Sequence, residues 1–223
     1  MTARPGLVGC ALSFVAGYVD VVGFVALFGL FTAHVTGNFV MIGVGLTGQG
    51  AGLVTKLLAL PAFVVAVGGA RFMETWLVRT QRPAASILLG LQCLFLLAFI
   101  AVGEWAAATG NLGANALPGM VAGLLAIAGM GIQNALSRTS LAELGSTTIM
   151  TGNTTQVVID LVDLASAGPE QASAIRARLR KMLPSVASFA AGAVLGALVY
   201  VAAGFWSVLL PVALLVWLTF KLR

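Results

Sequence analysis

Long apolar stretches alternate with short polar ones along almost the whole chain. Several of them reach the length of about 20 residues that a helix needs to cross the hydrocarbon core of a bilayer. Two long stretches, 84–103 and 182–220, carry no charged side chain. The pattern predicts an all-α polytopic membrane protein, a single transmembrane domain over residues 1–223. Its predicted segments are 7–30, 31–48, 52–78, 84–103, 117–137, 147–164, 182–203 and 205–220.

The second and sixth segments differ from the others because they are short and rich in Thr, Gly and Asn. They read FTAHVTGNFVMIGVGL (31–46) and TTIMTGNTTQVVIDLV (147–162), so each contains one Thr-Gly-Asn triplet. The first triplet is Thr36, Gly37 and Asn38, and the second is Thr151, Gly152 and Asn153.

The surroundings of the two triplets are also alike. About twenty residues before each triplet, small residues lie beside polar ones (17–20 and 131–134), and after each triplet a lysine precedes a Leu-Pro pair. Weak internal symmetry of this kind is common among transporters. We therefore predict a duplication, with repeats at about 1–105 and 113–223.

Composition and charge agree with a membrane protein. Only 9% of the residues are charged and 60% are hydrophobic, whereas a soluble domain has about 25% charged residues. The net charge of +5 comes from basic residues at the ends of apolar segments, which orients membrane helices and does not predict a nucleic-acid partner. Cys10 and Cys93 lie in apolar stretches and indicate neither a metal site nor a disulfide.

The distribution of basic residues also predicts the topology. If the two triplet segments enter the bilayer and return to their own side, six spans remain, and Lys56 is the only basic residue outside the cell. Three spans in each half make the second half inverted relative to the first. The predicted fold is thus six transmembrane helices plus two re-entrant half-helices in two inverted 3+3 repeats, with both termini cytoplasmic.

Two re-entrant segments from opposite faces would meet near the bilayer midplane. Thr36 and Thr151 are then predicted to be helix N-caps, Gly37 and Gly152 allow close backbone approach, and the Asn38 and Asn153 amides face each other. Two helix N-termini at one point suit an anion or the oxygen of a neutral solute. The alternative is that the triplets only pack together, with no solute between them.

Four polar residues inside the apolar segments complete the candidate site. Asp20 is the only acid in the interior of a span, which favours a functional role such as proton relay or cation binding. The alternative is a structural Asp20 that holds the re-entrant loop. His34, the sole histidine, is predicted to be either a pH gate or a neutral buried side chain. Gln133 and Asn134 occupy the place of Asp20 in the second repeat.

No enzyme, metal or cofactor signature is evident in the sequence, so we expect neither catalysis nor a cofactor. Two small-xxx-small patterns, 119–123 and 192–196, predict close helix contacts within the chain or in a homo-oligomer.

Four stretches resemble the YoaK-like family of bacterial multipass membrane proteins. They are AGYVDVVGF (16–24), FTAHVTGNFV (31–40), GMGIQNA (129–135) and MTGNTTQ (150–156). The resemblance implies six spans in the bacterial inner membrane, but no substrate, because that family has no settled function.

The residues then predict transport of a small polar or anionic solute through the centre between the two triplets, as a channel or a secondary transporter. Two alternatives stay open. One is proton-coupled transport that uses Asp20, and the other is a membrane scaffold or assembly protein that transports nothing.

Overall fold

The computed structural model describes residues 5–222, and in this range it is helical with no β-strand. The helices are α1 (Pro5–Ala26), α2 (Gly37–Leu46), α3 (Leu53–Arg79), α4 (Ala84–Ala108), α5 (Leu117–Leu136), α6 (Met150–Asp163), α7 (Pro169–Ala203) and α8 (Leu209–Lys221). Two short 3₁₀ turns lie at Ala142–Leu144 and Gly204–Val208.

Five helical segments in the described range are long and apolar enough to cross a membrane. They are Gly6–Ala26, Leu53–Arg79, Ala84–Ala108, Leu117–Leu136 and Pro169–Lys221. The last segment contains both α7 and α8, which Gly204 separates with a φ of 58°. The all-helical, apolar character predicted from the sequence is therefore confirmed, and it is consistent with a polytopic helical membrane protein.

Helix α7 begins thirteen residues earlier than the hydrophobic pattern predicted. The charged stretch before position 182 was expected to be a loop, but it is helical from Pro169, with Gly168 as N-cap. Proline suits the first turn of a helix because its missing N–H has no intrahelical partner there. The chain thus continues the apolar part of α7 into a polar helical extension.

Close contacts between glycines and neighbouring backbones show that α1 and α7 run parallel. A Cβ on Gly17 would lie 2.1 Å from the Phe189 carbonyl oxygen, and one on Gly196 would lie 2.9 Å from that of Tyr18. Helices α3 and α5 are parallel in the same way, because Gly123 faces Thr55 and Gly131 faces Ala66.

Helix α4 runs antiparallel to its neighbours α8 and α5. The Ser86 hydroxyl at its start donates to the Thr219 carbonyl (2.6 Å), while Glu104 near its end accepts from the Trp206 N–H (3.1 Å). We call the end of the bundle where α1 begins the first end, and the end where α1 finishes the second end. Helices α1, α4 and α7 run from the first end to the second, and α3, α5 and α8 run back.

The segment that contains α2 leaves the second end of the bundle and returns to it. The buried Lys56 ammonium donates hydrogen bonds to the carbonyls of Phe28 (2.7 Å) and Ala51, so the two ends of the segment are joined. At the far end of α2, Gly45 packs against Leu53, the first residue of α3.

The segment that contains α6 behaves in the same way at the first end. The Lys181 ammonium donates to the Glu143 carbonyl before α6, and the Arg178 guanidinium binds Asp160 near the end of α6 at 2.7 and 3.1 Å. Lys56 and Lys181, which follow the two triplets, therefore each donate a hydrogen bond to a carbonyl at the start of the segment before them.

The small residues of α7 make their contacts inside the chain. Gly192 faces the Phe14 carbonyl and Gly196 faces Tyr18, both on α1. Gly123 similarly faces Leu27 and Leu30. The close helix contacts predicted from these patterns are therefore present within one copy. Because those positions are occupied, a homo-oligomer would need other faces, and it stays a prediction.

Candidate functional site

Asp20 binds the loop that precedes α2. Its Oδ1 accepts the backbone N–H groups of Thr32 (2.8 Å), Ala33 (2.7 Å) and His34 (3.3 Å). Three successive N–H groups of an irregular segment would otherwise be buried without partners, at a cost of about 1–3 kcal/mol each. Asp20 is 6% exposed and thus provides the acceptor that this loop needs. This arrangement supports the alternative in which Asp20 has a structural role and binds the loop before α2.

His34 is the second partner of the Asp20 carboxyl group. Its Nδ1 lies 2.8 Å from Oδ2 of Asp20, and its ring packs edge-on against Phe189 of α7 with centroids 5.2 Å apart. The side chain of His34 remains 28% exposed. A cleft of about 310 Å³ between α1, α7 and the loop reaches Asp20, with Phe24 and Phe31 among its walls. The structure thus brings Asp20 and His34 together, and Asp20 lines a mostly apolar cleft.

The asparagines of the two triplets bind their own loops. Asn38 donates from Nδ2 to the Phe31 carbonyl (2.8 Å) and accepts the Phe31 N–H at Oδ1 (3.0 Å). Asn153 donates to the Ser146 carbonyl (2.8 Å). In both halves the bond joins residues that are seven positions apart. Within residues 5–222, no hydrogen bond joins one triplet to the other, so the expected amide pair is not formed.

In the second half, glutamine and threonine side chains take the place of the Asp20 contacts. Gln133 donates from Nε2 to the Leu12 carbonyl (2.8 Å) and to the Thr147 hydroxyl (3.2 Å), and its Oε1 accepts from Gln92 (2.9 Å). Asn134 accepts the Thr148 hydroxyl proton at 2.6 Å. Asp20 therefore binds the loop before α2 through backbone N–H groups, whereas Asn134 binds the loop before α6 through a threonine hydroxyl group.

The two loops meet α1 at different heights. The first is bound to Asp20 and the second, through Gln133, to Leu12. Eight residues of α-helix separate these contacts, which corresponds to about 12 Å along the axis. The triplets therefore face different levels of the bundle, whereas the sequence had placed them at one point. The sequence could not reveal this offset, because it depends on where each loop crosses α1.

The helix starts also differ from the prediction. Thr36 is the N-cap of α2, as expected, but α6 begins at Met150 with Ile149 as N-cap, so Thr151 lies inside the first turn. Neither N-cap residue makes a side-chain capping bond. Loop residues supply other partners, for example the Ser146 hydroxyl that accepts the Ile149 N–H at 3.0 Å. Gly37 packs against the Phe31 ring, whereas Gly152 has no neighbour within 4 Å of an added Cβ.

An open recess of about 550 Å³ runs along the exposed face of α6. Three of its lining residues are polar, namely Thr151, Thr154 and Thr155, and three are apolar, namely Met150, Val158 and Ile159. The Thr155 hydroxyl donates to the Thr151 carbonyl (2.9 Å), while within residues 5–222 the hydroxyls of Thr151 and Thr154 make no hydrogen bond to the protein. Free hydroxyls at a helix N-terminus are suited to a polar solute.

Sequence reasoning missed several of these residues. Lys56 and Lys181 were part of the repeat, but nothing indicated that they would bind carbonyls across the bases of the two segments. Gln92 carried no signal, because a polar residue in an apolar segment does not reveal its partner. Thr154 and Thr155 follow the second triplet directly, and their spacing from Thr151 along a helix was the available signal.

Charged groups towards the ends of the helices make structural pairs. Arg178 binds Asp160 through two hydrogen bonds, and this guanidinium lowers the pKa of the Asp160 carboxyl from its ordinary value. Arg71 pairs with Glu74, three residues later on α3, at 2.9 Å. Among residues 5–222, no three His, Cys, Asp or Glu side chains lie close enough to hold a metal ion.

A family model described as "Protein of unknown function (DUF1275)" matches residues 8–220. This match covers almost the whole chain, and the YoaK-like resemblance is consistent with it. No curated protein and no solved structure matches the chain.

Proposed function

The chain belongs to the DUF1275 family of unknown function, and we propose that it transports a small polar or anionic solute across the bacterial inner membrane. The observation that carries the proposal is the hydroxyl-lined recess on α6 beside a segment that enters the helix bundle and returns. Many transporters that are built from internal repeats bind their substrate where transmembrane helices are interrupted.

We further propose that the two halves are inverted repeats with six crossing helices. The alternating directions of α1, α3, α4, α5, α7 and α8 support this arrangement. So do the contacts that return the segments of α2 and α6 to opposite ends of the bundle. Irregular backbone at membrane depth is tolerated only where protein or a wet cavity surrounds it. The bonds from Asp20 and Asn134 to the two loops meet that condition.

The packing of the helices supports a twofold relation between the halves. Helix α1 packs on α7 as α5 packs on α3, and α2 packs on α3 as α6 packs on α7. Helix α4 packs on α8, its own counterpart. A twofold axis in the membrane plane would exchange each helix of the first half with its counterpart in the second half, as in inverted-topology transporters.

Labelling of single cysteines tests the topology. One cysteine replaces Gln49, after α2, and another replaces Gly168, before α7. With a membrane-impermeant maleimide, the cysteine at position 49 is expected to react in right-side-out vesicles, and the one at position 168 in inside-out vesicles. Both positions are exposed, so a lack of reaction would not come from burial. Reaction of both cysteines from the same side would contradict the inverted arrangement.

Transport itself is tested by swelling of proteoliposomes with glycerol, formate and nitrate as probes of the neutral and anionic classes. Thr151→Val with Thr154→Val is expected to reduce uptake of the transported probe at least tenfold, because the recess loses both free hydroxyls. Thr109→Val, at the exposed end of α4, should leave uptake unchanged. If the wild type moves no solute of either class faster than empty liposomes, transport of this kind is excluded and the scaffold alternative is favoured.

Proton coupling is the second candidate, and the contact between Asp20 and His34 favours it. Asp20 lines a cleft, and His34 is partly exposed. An imposed pH gradient should then drive solute accumulation in the wild type and not in Asp20→Asn. Equal accumulation in both proteins would show that the carboxyl group does not carry the proton.

A further inference from the structure

A small pocket lies between the start of α1 and the polar extension of α7, at the first end of the bundle. It has a volume of about 240 Å³. Its walls include Gly6 and Gly9 from α1, Glu143 and Leu144 from the 3₁₀ turn, and Arg180 and Lys181 from α7. The uncharged stretch 182–220 follows directly. The two basic residues therefore stand at the boundary between the polar and apolar parts of α7. We call this site the basic pocket.

The lysine of the basic pocket is less enclosed than its counterpart in the first half of the chain. Lys56 is 1% exposed, and its ammonium group donates to the carbonyls of Phe28 and Ala51. Lys181 is exposed, and within residues 5–222 its ammonium group donates to one carbonyl, that of Glu143. An ammonium group has three N–H donors. Lys181 therefore keeps two donors for a further partner.

Arg180 adds a second positive charge to the basic pocket. Its side chain is exposed, and it forms no ion pair among residues 5–222, whereas Arg178 is bound by Asp160. Glu143 is the acid of the lining, and its carboxyl group pairs with neither base in the described part of the chain. Two positive charges thus face one negative charge. The net positive charge of the lining favours an anionic ligand.

The remaining walls of the basic pocket are apolar. Leu144 and the glycine face of α1 form them, and Leu7, beside Gly6, is 53% exposed. A ligand that fits must offer an anionic group to the two bases and apolar atoms to the other walls. A phospholipid combines both at the boundary of the hydrocarbon core, and basic pockets between membrane helices are known to bind lipid head groups. A soluble phosphate offers only the anionic group.

We propose that the basic pocket binds the phosphate group of an anionic phospholipid through the Arg180 guanidinium and the Lys181 ammonium. The glycerol and the first part of an acyl chain lie against the glycine and leucine walls. This inference rests on the proposed topology only for the leaflet, which is the cytoplasmic one. Lipid binding is measured without any transport assay, so the two proposals can fail separately.

The test compares the full chain in nanodiscs of phosphatidylcholine alone and with added phosphatidylglycerol, by thermal unfolding and by native mass spectrometry of retained lipid. We expect phosphatidylglycerol to be retained and to raise the melting temperature by at least about 2 °C, because it binds the folded state. Arg180→Gln should abolish this rise. Glu143→Gln should enlarge it, because the negative charge of the lining is removed. The matched control is Arg138→Gln, an exposed arginine after α5 that does not line the pocket, and it should keep the rise.

Gly9→Leu is a second test because it keeps both positive charges. Gly9 faces Leu144 across the pocket, so the added side chain fills the space of the lipid, and retention should be lost. Equal stabilisation by the two lipids, or an unchanged rise in Arg180→Gln, overturns the proposal. An equal loss in Arg138→Gln overturns it as well, because the lipid would then respond to the overall charge of this end. If inorganic phosphate stabilises the chain in phosphatidylcholine as much as phosphatidylglycerol does, the ligand is a soluble phosphate and the lipid proposal is wrong.

Discussion

Gly17→Ala is expected to lower the free energy of unfolding by about 1–3 kcal/mol, the usual cost of overpacking a close contact. The added Cβ would lie 2.1 Å from the Phe189 carbonyl oxygen, 3.0 Å from its carbon and 3.2 Å from the Ala193 nitrogen. All three atoms belong to the backbone of α7, so no side-chain rotation can relieve the clash. Helices α1 and α7 must separate, and association of helices in a bilayer depends on such close packing.

Gly90→Ala is the matched control for Gly17→Ala. Gly90 lies in α4, also inside a helix, and an added Cβ there has no neighbour within 4 Å. Because alanine has a higher helix propensity than glycine, this variant should be as stable as the wild type or more stable by up to about 1 kcal/mol. Thermal unfolding of both variants in one detergent measures the difference. An unchanged melting temperature for Gly17→Ala would mean that α1 and α7 are farther apart than described.

The sequence predicted the helical segments well because a bilayer requires long apolar runs. Segment 52–78 became α3 (Leu53–Arg79), and 117–137 became α5 (Leu117–Leu136). The start of α7 was missed because residues 169–181 are charged, and hydropathy measures only the apolar part of a helix. A proline after Gly168 was the local signal for the true start.

The interior of the site was harder to predict because an amide or hydroxyl group does not reveal its partner. Asn38 and Asn153 were expected to face each other, yet each binds a backbone group seven residues earlier in its own loop. The identical spacing in the two halves was present in the sequence. It becomes informative only once the loop is known to fold back on its own triplet.

The lysines show the same limit for charged groups. Lys56 and Lys181 were recognised as repeated positions, and Lys56 as the exception to the charge rule. An ammonium group that binds only carbonyls has no acidic partner in the sequence to mark it. Lys56 can bind both carbonyls only because the folded chain brings Phe28 and Ala51 close together, and this proximity is a property of the tertiary structure.

Asp20→Leu is expected to be the most damaging single change in the loop before α2. The leucine side chain fills similar space but accepts no hydrogen bond, so the N–H groups of Thr32, Ala33 and His34 lose their acceptor. With about 1–3 kcal/mol for each buried unpaired group, the loop should leave α1 even where the bundle survives. A cysteine at Thr36, which is exposed at the start of α2, would then change its rate of modification, and the melting temperature should fall.

Asp20→Asn separates the structural role of this residue from a proton-carrying one. The amide keeps an oxygen for the three N–H groups, as Asn134 keeps one for Thr148 in the second half, and its NH₂ group faces Nδ1 of His34. Its melting temperature and Thr36 labelling should therefore stay near those of the wild type. Asp163→Leu, an exposed acid at the end of α6, controls for the loss of charge alone. If Asp20→Asn unfolds as readily as Asp20→Leu, the loop needs the carboxylate and not merely an acceptor. If it is stable but accumulates no solute under a pH gradient, Asp20 both anchors the loop and carries the proton.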